Sequence, residues 1–345
     1  MRAVVGSESH PLADHPLDGP VPRLGELPDP VAGAGEVIVE IAASGLNHAD
    51  LMQLRGQYPP PPGESEVPGL ECAGTILALG EGVETGSGWS VGDRVMALLG
   101  GGGLATRVAV PAEQLMPLPE NLGFVAGAAL PEAGLTAWTN LVAEGGLAAG
   151  ETVVVTGATG GMGSFIVQLA RELGARVIAA GRSQQKLDRL RGVLSERQGG
   201  VEGIELLADA ADVAGVASRV RALTGGRGAD LIVDLVGGAR LGDRLEALRS
   251  RGRLILLGHL AGARAEIDLA AVLSRRLRLV GSTLRPRPRA EKARLVADFA
   301  AFALPRLRDG RLRPVVGQVL PFERVAEAFA ETARGGTVGK IVLEA

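Results

Sequence analysis

The sequence is short of the residues from which most reactive sites are built. Its 345 residues include one cysteine (Cys72), one tyrosine (Tyr58), four histidines, two tryptophans and six phenylalanines. A single cysteine excludes an intramolecular disulfide and any multi-cysteine zinc cluster, and it fits a reducing compartment. Lysine is nearly absent: only Lys186, Lys292 and Lys340 stand among the 36 basic residues. A formal net charge of −3 offers no electrostatic reason for binding nucleic acid. No apolar run reaches the roughly 18 residues of a membrane span. The N-terminal Met1-Arg2-Ala3-Val4-Val5 meets Ser7, Glu8 and several prolines too soon for a signal-peptide core. The expectation is a cytoplasmic protein acting on a small molecule. What is present is 46% hydrophobic residues and a length sufficient for two domains.

The two halves of the chain differ in rhythm. From Met1 to about Ala129 the segments are short and strand-like, as in residues 37–41, 72–78, 94–98 and 106–110, with prolines and glycines between them. This predicts a compact β-rich domain with long loops. From about Gly150 to Val280 apolar strands (152–156, 176–180, 231–235, 253–257 and 277–280) alternate with helix-length segments such as 164–173 and 186–194. That alternation predicts an α/β domain with a doubly wound parallel sheet, because helical crossovers join parallel neighbours and cover both faces. The end of the chain, with one more helix and a last strand at 340–343, has no sheet of its own and is expected to return to the N-terminal domain.

The strand at 152–156 runs into Gly157-Ala158-Thr159-Gly160-Gly161-Met162-Gly163 and then a helix with apolar residues at 165, 166, 169, 170 and 173, which predicts one buried face. Glycines in such a turn let the backbone approach a pyrophosphate, whose charge is met by free amides at the helix N-terminus. A tight turn without a ligand is the competing reading, and the strand, turn and helix context argues against it. The next strand ends in Gly181-Arg182-Ser183-Gln184-Gln185-Lys186. An NAD site would place an acidic residue here to hold the ribose hydroxyl. Arg182, Ser183 and Lys186 instead suit a 2′-phosphate, so the expected cofactor is NADP. Arg182 and Lys186 as solvated first-turn residues is the alternative.

A catalytic zinc needs about three converging Cys, His or carboxylate ligands. The donors are His10, His15, His48, His259, Cys72 and carboxylates, and no pair shows a ligand spacing. Cys72 reads as a small core residue, His10 and His15 as surface loop residues, and His48 as the first-turn residue of a helix. His259 follows Gly258 at the end of a parallel strand, where doubly wound sheets bind ligands. Tyr58 lies in a proline-rich loop, either packed on the surface or lining a substrate opening.

Together these pieces resemble a known family: the medium-chain dehydrogenases/reductases, in their zinc-independent quinone oxidoreductase (zeta-crystallin-like) branch, and within it the NADPH quinone reductases. The likeness rests on residues 46–53, Gly56-Gln57-Tyr58, Gly69-Leu70-Glu71, residues 91–99 before a glycine run, Leu135-Thr136-Ala137-Trp138, the turn at 157–163, and residues 339–343. It implies a GroES-like catalytic domain of residues 1–129 and 285–345 around a Rossmann NADP-binding domain of residues 130–284. Where the zinc enzymes have Cys and Gly-His-Glu, this chain has Asn47 and Gly69-Leu70-Glu71, so no metal is expected. The resemblance further implies that Asn47 and Tyr58 face nicotinamide and substrate and that Thr136 backs the nicotinamide. Gly160, Gly161, Met162 and Gly163 would hold the pyrophosphate, with Arg182, Ser183 and Lys186 on the 2′-phosphate. Val236, Gly258, His259, Leu260, Leu284, Arg285 and Lys340 match cofactor-lining segments, leaving Lys292 as a surface residue. Two departures stand out: Leu206-Leu207 in place of a frequent tyrosine, and Ala105-Thr106 in place of a frequent aromatic.

The expected activity is metal-free hydride transfer from NADPH to quinones or similar conjugated carbonyls. Reduction of enoyl thioesters or alkenals, with Tyr58 as proton donor, is the enzymatic alternative. An NADPH-binding protein with a structural or sensing role is the non-enzymatic one. A homodimer pairing through the strand at 277–280 is expected by analogy with relatives.

Overall fold

The structure, a computed structural model, describes residues 1–6, 20–83, 88–196, 200–209 and 215–345; His10 and His15 lie outside the described residues. In chain order the first elements are β1 (Arg2–Gly6), β2 (Pro22–Glu26), β3 (Glu36–Leu46), α1 (His48–Leu54), β4 (Glu71–Leu79), β5 (Arg94–Leu98), β6 (Arg107–Pro111), β7 (Leu115–Pro117), α2 (Phe124–Ala128) and α3 (Pro131–Trp138). An alternating region follows: β8 (Thr152–Thr156), α4 (Gly161–Glu172), β9 (Arg176–Gly181), α5 (Gln184–Ser195), β10 (Ile204–Ala208), α6 (Val216–Leu223), β11 (Ala229–Asp234), α7 (Leu241–Ala247), β12 (Leu248–Leu256), α8 (Leu269–Arg275) and β13 (Arg278–Gly281). The chain ends with α9 (Arg289–Arg308), β14 (Val316–Pro321), α10 (Val325–Arg334) and β15 (Lys340–Glu344). These form two units, one of Met1–Leu135, Arg285–Asp309 and Arg313–Ala345, the other of Thr136–Leu284 with Gly310–Leu312.

The second unit is a six-stranded parallel sheet in the order β10-β9-β8-β11-β12-β13. Its central strand β8 is buried along its whole length, as a strand covered on both faces by helices must be. Helix α4 differs from the single apolar face expected of it: every residue from Gly163 to Ala170 is buried. Ser164 and Gln168 can be covered because their side chains donate to the helix's own carbonyls, Gly161 at 3.0 Å and Ser164 at 3.0 Å.

The first unit carries a seven-stranded sheet running β14-β15-β3-β4-β5-β7, with β6 also paired to β3. The returning strand β15 lies antiparallel to β3, with Ile341 opposite Leu46, so the end of the chain completes the N-terminal sheet as expected. Strand β3 is longer than its apolar run of 37–41 because Ala42 to Gly45, weak strand formers on their own, are held by neighbours on both sides. Gly45 has no room for a side chain: a Cβ there would overlap the Ala128 carbonyl and the Glu71 carboxylate.

Cys72 is fully buried in the apolar cluster of this sheet, and burial raises its thiol pKa, as suits a core residue. Lys292 corrects the expectation of a surface residue. It lies buried in α9, 3.6 Å from a carboxylate oxygen of Glu64. With Leu295, Val296 and Phe299 buried at i+3, i+4 and i+7, position 292 falls on the helix's inner stripe.

Candidate functional site

Strand β8 delivers the chain into the glycine turn. Gly157 takes a left-handed backbone (φ 66°), and Gly160 caps α4 in an extended conformation. Gly163, in the first turn of α4, packs so closely that a Cβ would overlap the Gly157 carbonyl and sit 2.8 Å from Ala158 Cα. The turn is therefore wound tightly under the helix N-terminus, with the Gly160 amide donating to the Gly157 carbonyl at 3.2 Å and the amides of residues 161–163 at the positive end. That is the arrangement a pyrophosphate requires.

At the end of β9, Ser183 caps α5, its hydroxyl oxygen accepting from the Lys186 amide at 3.3 Å. Arg182 is exposed, and the Lys186 pKa is lowered by partial burial and then by the charges of Arg182 and Arg189. Three cations are thus gathered at a helix N-terminus, where an anion would relieve their repulsion. The nearest downstream carboxylate, Asp188, accepts from Gln184 at 2.9 Å.

Val236 and the segment Gly258-His259-Leu260 lie on adjacent loops after β11 and β12. The Ala261 amide donates to the Val236 carbonyl at 2.8 Å, and a Cβ on Gly258 would lie 2.6 Å from the Leu235 carbonyl. His259 and Leu260 are exposed, while Thr136 and Leu284 are buried. Buried Asp234 fixes the loop after β11: one oxygen accepts from Thr156 Oγ1 at 2.6 Å and from the Val236 and Gly237 amides, and the other from Arg244 at 2.8 Å.

In the first unit the end of β3 sets Asn47 as the cap of α1, with His48 as its first residue. Asn47 Nδ2 donates to Glu71 Oε1 at 2.9 Å, and Lys340 Nζ donates to Asn47 Oδ1 at 2.6 Å. Lys340 also forms an ion pair with Glu71, whose second oxygen accepts from the Glu132 amide at 2.9 Å. All three side chains are buried. Below them Asp50 accepts from the Asn47 amide at 2.7 Å and the Gly69 amide at 2.9 Å.

Burial pushes the Asp50 carboxyl from 3.8 up to about 6; Lys340 and the two amides oppose the rise, and Glu71 adds to it. A carboxyl whose pKa is higher in the folded chain binds its proton more tightly there. Its contribution to stability is therefore full below about pH 4 and lost as the pH rises to about 6, after which ionisation costs about 3 kcal/mol. Urea unfolding of the chain and of its Asp50→Asn variant should show a stability difference that shifts by about that amount across this window. A difference independent of pH would contradict the assignment.

Tyr58 is half-buried, and its phenol pKa is raised by burial and by Glu132, against the pull of Arg285. Arg285 is buried and ties the Tyr58 loop to α1 and to the glycine run after β5. It donates to the carbonyls of Gly100 at 2.7 Å and Tyr58 at 3.0 Å and to Gln53 Oε1 at 2.8 Å, with its guanidinium 5.1 Å from the centre of the Tyr58 ring.

Within this unit the fold joins Asn47 to Lys340 and Tyr58 to Arg285. Glu71 and Asp50, which carry the Asn47 network, were not singled out from sequence as site residues. For Asp50 a signal exists, an acidic residue three positions after a helix cap. For Glu71 the signal is its place in Gly69-Leu70-Glu71, opposite the Gly-His-Glu of the zinc enzymes.

Two family models match, "Alcohol dehydrogenase GroES-like domain" at residues 33–120 and "Zinc-binding dehydrogenase" at residues 161–301. The residues do not fit the zinc that the second description implies. Where the zinc enzymes have a cysteine and a histidine, the chain has Asn47 and the buried Leu70, and the Lys340 ammonium already supplies the positive charge at Glu71. Among the described residues no three His, Cys, Asp or Glu side chains could hold a metal ion. No helix among them is long and apolar enough to cross a membrane.

The chain is 30% identical over 317 residues to a quinone oxidoreductase of Lama guanicoe, covering 91% of this chain and 90% of that protein. It is 33% identical, with a TM-score of 0.78 and full coverage of both chains, to the quinone oxidoreductase of Thermus thermophilus, described also in its complex with NADPH. The JamJ enoyl reductase matches with 25% identity and a TM-score of 0.78 over 94% of this chain and 95% of that one. The chain also spans 13% of the length of a phenolphthiocerol/phthiocerol polyketide synthase of Mycobacterium tuberculosis, at 31% identity over 310 residues. With a GroES-like unit, a Rossmann sheet and relatives of this identity and coverage, the chain belongs to the zinc-independent quinone oxidoreductase family of the medium-chain dehydrogenases/reductases.

Proposed function

We propose that the chain is an NADPH-dependent reductase of quinones or similar conjugated carbonyls that works without a metal. The observation that carries this reading is the pair of helix N-termini in the second unit. One follows a glycine turn in which Gly163 has no room for a Cβ, and the other is capped by Ser183, with Lys186 beside it and the charges of Arg182 and Arg189 acting on that lysine. The first suits a pyrophosphate and the second a 2′-phosphate. The NADPH complex of the Thermus thermophilus relative supports the same choice of cofactor.

When bound, NADPH supplies the hydride; the chain supplies position and electrostatics. Gly161, Met162 and Gly163 would hold the pyrophosphate through backbone amides, with Gly160, whose own amide donates to the Gly157 carbonyl at 3.2 Å, shaping the turn, and Ser183, whose oxygen already accepts from the Lys186 amide, would keep its hydrogen to donate to a phosphate oxygen. Asn47 offers an amide hydrogen, and Tyr58 a flat ring and a hydroxyl, to the carbonyl that is reduced. Hydride addition to a quinone leaves a phenolate-like oxygen that solvent can protonate, so no strong protein acid is needed. A phenol is protonated at neutral pH in any case, and burial and Glu132 act in the same direction at Tyr58.

Enoyl-thioester reduction is the second reading, favoured by the match to an enoyl reductase and by that protonated phenol. A panel of quinones, enones and enoyl thioesters, with loss of the reduced nicotinamide absorbance as readout, separates the two. Quinones should turn over fastest, with Tyr58→Phe reducing kcat/KM about tenfold through lost positioning. Loss of enone activity alone in Tyr58→Phe would instead establish the second reading, and NADPH binding without turnover on any acceptor would indicate a structural or sensing role.

We further propose a homodimer. Strand β13 is an edge of its sheet, and Leu279 on it is 45% exposed and Leu273 on α8 77% exposed. Sedimentation as a monomer at micromolar concentration would remove this proposal.

A further inference from the structure

We propose that Lys340 and Glu71 are positioning residues that lock the Asn47 carboxamide in one of its two orientations, leaving one amide hydrogen of Asn47 as the donor for a substrate oxygen. The inference rests on Asn47 facing substrate as proposed for the reductase, and it assigns Lys340 a task different from lining the cofactor.

Strand register brings the three residues together. Ile341 stands opposite Leu46, which places Lys340 beside Asn47 one step further along, and Cys72 stands opposite Ser44, which places Glu71 beside Gly45. The absence of a Cβ at Gly45 is what admits the Glu71 carboxylate. The carboxylate is then fully used: Oε1 faces Asn47 Nδ2 and the Lys340 ammonium, and Oε2 accepts from the Glu132 amide.

A primary amide offers nearly the same shape in either orientation, so shape alone would not choose between them. An ammonium has only donors and an ionised carboxylate only acceptors. Turning the Asn47 amide over would set its NH2 against the ammonium and its oxygen against the carboxylate, among buried side chains where such a mismatch is costly. The pair therefore holds Oδ1 toward Lys340 and Nδ2 toward Glu71. The second Nδ2 hydrogen is only loosely engaged: among the described residues its acceptor is the Gly45 carbonyl at 3.4 Å.

A buried ion pair is a poor device for stability alone, because a well-packed apolar pair of the same volume commonly does as well. It is a good device for fixing direction.

The test is a double-mutant cycle in the full chain. Lys340→Met should lower kcat with a quinone about 30-fold, leave the NADPH Kd within about twofold, and be largely rescued by Lys340→Arg. In an Asn47→Ala background the same Lys340→Met change should cost less than about threefold, because nothing is left to orient. Equal losses in both backgrounds, or a large rise in NADPH Kd, would overturn the proposal and assign Lys340 to the cofactor.

A second readout needs no turnover. In the side-chain amide NMR spectrum of the chain without cofactor, the Asn47 Nδ2 proton held by Glu71 should be shifted away from its position in a solvated asparagine and be protected from exchange with water. Shift and protection should both be lost in Lys340→Met, or in Glu71→Gln should the first variant not fold. An unchanged Asn47 signal would overturn the proposal. A wild-type chain that turns over no acceptor yet shows the locked signal would refute the proposed function and leave the lock standing.

Discussion

Replacing Gly163 by valine should weaken NADPH binding at least about a thousandfold while leaving the chain folded. A Cβ at this position meets backbone: it would overlap the Gly157 carbonyl and lie 2.8 Å from Ala158 Cα and 2.9 Å from the Gly157 carbonyl carbon. Backbone cannot swing aside as a flexible side chain can, so the turn has to open. The amides of residues 161–163, in the first turn of α4, are then displaced from their place above the turn. Two or three charge-assisted hydrogen bonds to the pyrophosphate, each worth about 1.5–3 kcal/mol, are lost together, which sets the scale of the effect. Gly192→Ala is the control, since nothing lies within 4 Å of a Cβ at that position on α5. It should retain wild-type affinity, with slightly higher helix stability. Titration calorimetry with NADPH, beside circular dichroism melting of both variants, checks the result. Wild-type affinity in a folded Gly163→Val chain would mean that the turn does not hold the cofactor.

The parallel sheet was legible because its central strands carry the apolar runs Val153-Val154-Val155 and Leu231-Ile232-Val233, as burial on both faces demands. Strand β10 escaped notice because it is the opposite edge: its Glu205 is exposed and its pattern is mixed, although it pairs with β9 from Ile204 to Ala208. The extension of β3 through Ala42 to Gly45 was hidden for another reason, since small residues carry little strand preference and are placed there by what must approach them.

Lys292 shows a misread period. A lysine reads as surface until the apolar residues at i+3, i+4 and i+7 are counted. The glycine turn between β8 and α4 was legible because its parts lie within a few residues of one another. The contacts of Asn47 with Glu71 and Lys340 span 24 and 293 residues, and only strand register brings them together. No local pattern carries that information, which is why Lys340 read as a cofactor residue and Glu71 as the remnant of a motif.

The double substitution Arg182→Ala, Lys186→Ala should shift the preference for NADPH over NADH by about a hundredfold to a thousandfold, almost entirely through NADPH. The two coenzymes differ by one phosphate, and the place for it is where cations are gathered at a cost. The Lys186 pKa is lowered by burial and by the like charges of Arg182 and Arg189, so the free chain holds a concentration of charge that a dianion would relieve. The positive end of α5, capped by Ser183, acts in the same direction. NADH gains nothing from these charges, and the segment has no carboxylate between residues 182 and 186 to take up its ribose hydroxyls. Its affinity should therefore change by less than about threefold. Raising the salt concentration from about 0.05 to about 0.5 M should weaken NADPH binding more in the wild type than in the variant, in which two of the three screened cations are gone and Arg189 remains. Competition by 2′-phosphorylated and unphosphorylated adenosine monophosphates isolates the phosphate from the rest of the coenzyme. Equal weakening of NADPH and NADH would show that Arg182 and Lys186 serve the helix rather than the phosphate, and the choice of NADP would then have to rest on other residues.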